Sequence, residues 1–214
     1  MKRNSFFILF LLLSLSLSSC TGAEATNAIE QNKKIFKDEF FKQVNLARTQ
    51  PQKYAEEVLK TYYDNKQDNG AYKDLMNREA ISPLVDNELL ETASIYYSKY
   101  LADNNVLGHD ENGSPQERSE AVGYDYWAGE NIAVGFIEQG NKDLQNAWEE
   151  PIGAAKLFVA QLIIDMGVPN LGHRKNILNA TFTEMGVGFY RNEKAKYRNY
   201  VVQSFGNGPL TEEN

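Results

Sequence analysis

The chain has 214 residues, 42% of them hydrophobic, with 22 basic against 29 acidic side chains and a formal net charge of -7. That balance suits a single ordinary globular domain. No Lys/Arg stripe is present to release counterions from a phosphate backbone, which excludes nucleic-acid binding, and an acidic chain is not drawn electrostatically to anionic lipid.

The N-terminus reads as a leader over residues 1–19. Lys2 and Arg3 form its basic start, Phe6 to Leu17 its apolar stretch, and small serines precede Cys20. The stretch is too short to span a bilayer comfortably. Leu17-Ser18-Ser19-Cys20 resembles a bacterial lipobox, which implies cleavage before Cys20, acylation of that residue and attachment to a membrane. A plain secretory leader with an incidental cysteine is the alternative. Both readings give an exported domain without a disulfide, and the anchored one also removes any cysteine nucleophile or thiolate metal ligand.

Residues 20–35 are polar and unpatterned, a tether that turns helical toward its end. Phe36, Phe40, Val44 and Ala47 recur at helical spacing until Arg48-Thr49-Gln50-Pro51 interrupts them. Pro51 suits the first turn of a second helix running to about Tyr63. Asp64 to Asn77, rich in Asn, Asp and Gly, reads as a surface loop. An Asp86 or Asn87 cap then opens a helix to about Asn104 with Leu89, Leu90, Ala93, Tyr97, Tyr100 and Leu101 on one face. Ser114-Pro115-Gln116-Glu117 is a capping-box signature for a short helix ending at Gly123. Asp143 to Trp148 looks helical, and Pro151 can start another helix, from Ile152 to about Asp165, closed by Gly167 and Pro169. Met185 to Tyr190 and Tyr200 to Phe205 read as antiparallel strands around a polar turn, with a frayed tail over 207–214.

The only two histidines each follow a glycine, in Gly108-His109-Asp110 and Gly172-His173-Arg174, and both fall at junctions after predicted helices. Gly129-Glu130-Asn131 adds a carboxylate. Two neutral imidazoles and a carboxylate can hold a divalent ion such as zinc with one position open, or move protons without a metal. On spacing alone, histidines satisfied at helix ends explain the same residues.

The ordered set of motifs changes that reading. Asn45-Leu46-Ala47-Arg48, Gly108-His109-Asp110, Gly129-Glu130-Asn131-Ile132-Ala133, Trp148, Gly172-His173-Arg174-Lys175-Asn176-Ile177-Leu178-Asn179, Gly186-Val187-Gly188 and Gln203-Ser204-Phe205-Gly206 together resemble the CAP superfamily of cysteine-rich secretory, antigen 5 and pathogenesis-related 1 proteins (SCP domains), in its cysteine-poor bacterial branch. The resemblance covers residues 36–206. It implies an α+β fold, a three-layer α-β-α sandwich with a small antiparallel sheet and a central cleft holding two histidines and two acidic residues, in some members with zinc on the histidines. Carried over, the histidines are His109 and His173 and the first acid is Glu130. The position expected for the second is Pro151 here; Glu150 is preferred to Asp165, and a site of three members is the alternative.

Asn131 and Asn176 are read as shaping loops rather than touching ligand. Tyr124, Tyr126 and Trp127 are either core or an aromatic rim for an apolar or glycan ligand. Arg174 is expected to pair with a carboxylate, and Asp110 and Glu111 to be solvated. No H-E-x-x-H, G-x-S-x-G, Walker or dinucleotide motif is present, so those enzyme classes lack their minimal parts. The expectation is a lipid-anchored, extracytoplasmic binding module of the cell envelope for a lipid, glycan or peptide ligand, with a metal in the cleft as an option. The alternative is a zinc-dependent hydrolase of peptidase or esterase type, in which Glu130, with Glu150, does the acid–base work. Residues 64–80 and 191–199 are the expected variable surfaces for ligand or partner contact.

Overall fold

The computed structural model describes residues 22–62, 68–135 and 150–209. The leader, Cys20 and the expected helix Asp143 to Trp148 lie outside the described residues.

Helix α1 (Gly22–Thr49) buries Phe36, Phe40, Val44 and Ala47, the four positions its periodicity picks out. Its outer residues 26–30, part of the stretch read as a tether, are helical and exposed. Gln50 interrupts the backbone, and Pro51 opens α2 (Pro51–Tyr54), which continues through a π-helical stretch, Ala55–Leu59, into α3 (Lys60–Tyr62). The expected loop of residues 64–77 contains a helix, α4 (Ala71–Met76), and that expectation is corrected. Its start is built by polar residues: the Asp68 carboxylate accepts from the N–H of Gly70 and Tyr72, and Gly70 takes a left-handed φ of 74°. These residues make both turns and helix starts, and composition does not tell the two apart.

Asn87 caps α5 (Glu88–Asn104) by accepting from the N–H of Leu89 and Leu90. Its buried face carries Leu90, Ala93, Tyr97 and Leu101, whereas Leu89 is exposed. Ser114 and Glu117 form the expected reciprocal capping box of α6 (Pro115–Ala121). Helix α7 (Pro151–Ile164) is apolar except at Lys156 and Gln161 and is buried over most of its length. Among the described residues no single helix is long and apolar enough to cross a membrane. A turn of 3-10 helix at Pro169–Leu171 leads into α8 (Gly172–Ile177), a helix absent from the sequence reading.

The sheet has the order β1-β3-β4-β2, from β1 (Val85–Asp86), β2 (Ala128–Gly135), β3 (Glu184–Arg191) and β4 (Asn199–Gly206). The three long strands pair antiparallel, with Glu130 opposite Ser204 and Val187 opposite Gln203, and β1 adds two parallel residues at one edge. Met185, Val187, Phe189, Val201 and Phe205 face α1 and α7 in the main core. On the opposite face, Gly186 and Gly188 let α5 settle directly onto β3, because a Cβ at either would fall within the backbone of Glu91 or of Ser94 and Ile95. Ser94 hydrogen-bonds Ser204 at 2.9 Å across this contact. The result is a three-layer α-β-α sandwich.

Arg48, fully buried at the end of α1, ties the layers together near the cleft. Its guanidinium donates to the carbonyls of Ser82, Ile177, Asn179 and Phe182 at 2.7–3.0 Å, and burial lowers its pKa to about 10, which leaves it charged at neutral pH.

Candidate functional site

Helices α5, α6, α7 and α8 and strand β2 converge on the two histidines. His109 sits in the loop after α5, half exposed, and its Nδ1 lies 2.9 Å from Oε1 of Glu130. Glu130 is on β2, with its side chain 2% exposed. Its other oxygen, Oε2, accepts from Arg118 of α6 at 2.5 Å. Arg118 also donates to the carbonyls of His109, at 2.8 Å, and Gly113, and its guanidinium lies 3.4 Å from the centre of the Tyr97 ring. The Tyr97 hydroxyl in turn donates to the Gly108 carbonyl at 2.8 Å. The loop bearing His109 is thus clamped from α5 and α6 at once.

The second histidine repeats the arrangement with different parts. His173, in the first turn of α8, has its Nδ1 2.9 Å from Oδ1 of Asp165, whose side chain is completely buried. Oδ2 of Asp165 accepts from the N–H of Arg174 at 3.1 Å, so this carboxylate also meets the positive end of the helix. Asp165 ends α7 in the left-handed conformation, φ 59°, one that Asp and Asn adopt more readily than other side chains. The chain then turns back through three further left-handed residues, Gly167, Asn170 and Leu171, and brings His173 against it.

Two asparagines join the halves. Asn131 Nδ2 donates to the His173 carbonyl at 3.1 Å, and Asn176 Nδ2 donates to the Glu130 carbonyl at 3.1 Å and to Asn131 Oδ1 at 2.9 Å. The imidazoles are near enough for charge on His109 to act on His173. Burial pushes the His173 pKa below its ordinary 6.5, Asp165 opposes the shift, and His109 adds to it.

Glu150 is not part of this constellation. It is exposed at the N-terminal end of α7, the end opposite Asp165. The preference for Glu150 as the second acid is therefore corrected on geometry, since a 14-residue helix separates the two positions and the turn after α7 returns only Asp165 to a histidine. Arg174 lies beneath the site. It donates to the carbonyls of Ile163, Ile164 and Asn69, with Asp74 3.7 Å away, so it serves backbone carbonyls more than a carboxylate. Tyr124 is buried and donates to Glu184, whereas Tyr126 and Trp127 are about half exposed, Trp127 stacking on Phe182.

Sequence reasoning missed Arg118, Tyr97 and Asn69. Asn69 donates its amide to the carbonyls of Ile164 and Asp165 and so braces the turn that aims Asp165. Its position in an Asn-Gly turn was the available signal, though it does not reveal the partner.

Each imidazole keeps Nε2 without a hydrogen-bond partner among the described residues. No group of three or more His, Cys, Asp or Glu side chains is arranged around a metal position among the described residues. Glu130 and Asp165 spend both oxygens on other partners, so the protein donors to a metal are the two imidazoles, each held by a carboxylate in the way that orients metal-ligating histidines.

The sandwich and its two histidine–carboxylate contacts agree with the resemblance to CAP, or SCP, domains. Residues 78–205, more than half of the chain, match the CAP family, described as the cysteine-rich secretory protein family, and the chain belongs to it. It is 30% identical over 115 residues to the uncharacterized protein YkwD of Bacillus subtilis (strain 168), an overlap covering 52% of this chain and 37% of that protein. Its fold is similar to that of an extracellular protein containing an SCP domain from Bacillus anthracis str. Ames, with a TM-score of 0.51 and 21% identity, covering 84% of this chain and 43% of that one. The matched part spans less than half the length of either relative.

Proposed function

We propose that this CAP domain is an extracytoplasmic binding module whose cleft takes a divalent cation on His109 and His173. Zinc suits the imidazole donors, and the remaining coordination positions would go to water or to a lipid, glycan or peptide ligand. The observation that carries the reading is the anchoring of both imidazoles through Nδ1 to buried carboxylates, with both Nε2 atoms left over. Zinc, when bound, supplies a Lewis acid. The chain's own residues orient the rings and fix the loop and helix that bear them.

A hydrolase in this cleft needs a carboxylate with a free oxygen to take a proton from water. Glu130 is engaged by His109 and Arg118, Asp165 by His173 and the α8 backbone, and Glu150 stands at the far end of α7. Binding is therefore favoured over hydrolysis. The leader and Cys20 support export and lipid attachment to the cell envelope, and the similar fold described as an extracellular protein agrees with export.

Calorimetric titration of the full chain with zinc at neutral pH tests the proposal. One-to-one binding that is lost in His109→Ala and in His173→Ala is the expected result. A folded wild-type chain that takes up no zinc overturns it, and zinc-dependent peptide or ester cleavage abolished by Glu130→Gln would replace it with the hydrolase.

A further inference from the structure

A cavity lined by neither imidazole lies between α5, α6 and the loop after His109. It measures about 420 Å³, within the roughly 300–1,000 Å³ of small-ligand pockets. Ala93 and Tyr96 of α5 and Ala121 and Val122 from the end of α6 give it an apolar lining, and Tyr96 is 74% exposed. Such a large aromatic surface adds little to the core and is available to an incoming group.

The polar lining comes from Asn112, Glu117 and Arg118. Both charged groups are already partnered. Glu117 accepts from the backbone N–H and hydroxyl of Ser114, while Arg118 donates to His109, Gly113 and Glu130. The Arg118 side chain is 10% exposed and rests on Tyr97, so its remaining donors are fixed in place, and its Nε–H has no partner among the described residues. An anionic ligand would meet Glu117 here, and a cationic one would meet Arg118. A neutral hydrogen-bond acceptor meets neither objection.

We propose that this pocket is a ligand site distinct from the imidazole cleft, taking an uncharged carbonyl that carries a short apolar chain, the chemistry of a peptide amide with an aliphatic side chain. The carbonyl takes up the donors in reserve on Arg118 and Asn112, and the aliphatic chain lies against Tyr96, Ala121 and Val122. The site goes beyond the metal-binding reading and does not depend on it.

An NMR titration of the full chain with N-acetyl-leucinamide, with chelator present, tests the proposal alongside a parallel titration with the carboxylate N-acetyl-leucine. The amide should shift backbone signals of residues 93–97 and 112–122 saturably, and the carboxylate should bind at least about tenfold more weakly. Ala121→Trp, an exposed substitution at the end of α6 that fills the pocket, should abolish the shifts while the rest of the spectrum stays native. Absence of saturable shifts, equal binding of the two probes, or shifts that survive in Ala121→Trp would each overturn it. Zinc titration of Ala121→Trp gives an independent readout, because the metal proposal fails or survives there regardless of the amide result.

Discussion

Removing the guanidinium of Arg118 leaves Glu130 as a buried carboxylate whose one remaining side-chain partner among the described residues is the His109 imidazole. Breaking a buried pair from one side costs more than losing the pair as a unit, because the abandoned charge keeps its desolvation penalty. Arg118→Gln should therefore lower unfolding free energy by about 3 kcal/mol, and adding Glu130→Gln should recover part of that loss. Urea unfolding of both single variants and the double variant, with chelator present, gives the coupling directly. Additive losses would mean that the two side chains do not act as a pair. The same substitution should loosen the His109 loop, since Arg118 also holds the carbonyls of His109 and Gly113.

Among the elements, the contact between α5 and β3 is the least tolerant of added volume. Gly188→Ala places a methyl group inside the backbone of Ser94 and Ile95, which no side-chain rotation relieves, so α5 must leave the sheet. A loss of about 3 kcal/mol or more is expected, at the upper end of overpacking costs, and thermal unfolding of the variant measures it; a midpoint unchanged from wild type would refute the close packing. Elements with local signals were legible in the sequence. Asn87, the Ser114 and Glu117 box, and the strands either side of the 192–198 turn gave α5, α6, β3 and β4. Strand β2 was not legible, because it is buried on both faces and shows no alternation. The motifs brought His109, His173 and Glu130 into view, but Asp165 depended on a left-handed turn and Arg118 on a helix-to-strand contact, neither of which leaves a local pattern.

At the scale of the whole molecule, the second histidine stands where α4, α7 and α8 meet. Asp165 closes α7 and holds His173, Arg174 reaches from α8 to the end of α7 and to Asn69, and Asn69 precedes α4. Protonation of His173 therefore bears on a junction of three helices. Burial holds its pKa below the ordinary 6.5, with Asp165 opposing and His109 reinforcing the shift. In the window between the lowered value and 6.5 the unfolded chain binds a proton that the folded chain does not. Stability then rises with pH across the window. The contribution is fully present above 6.5 and is lost as the pH falls through the folded-state value. Acid also protonates carboxylates throughout the chain, so the informative quantity is the difference between wild type and His173→Gln. In chelator, the stability advantage of wild type over this variant should shrink as the pH drops from 7 to about 5. Urea unfolding across that range checks it. An advantage that stays constant, or grows on acidification, would mean that the folded state does not disfavour the charged imidazole and that Asp165 outweighs burial at this junction.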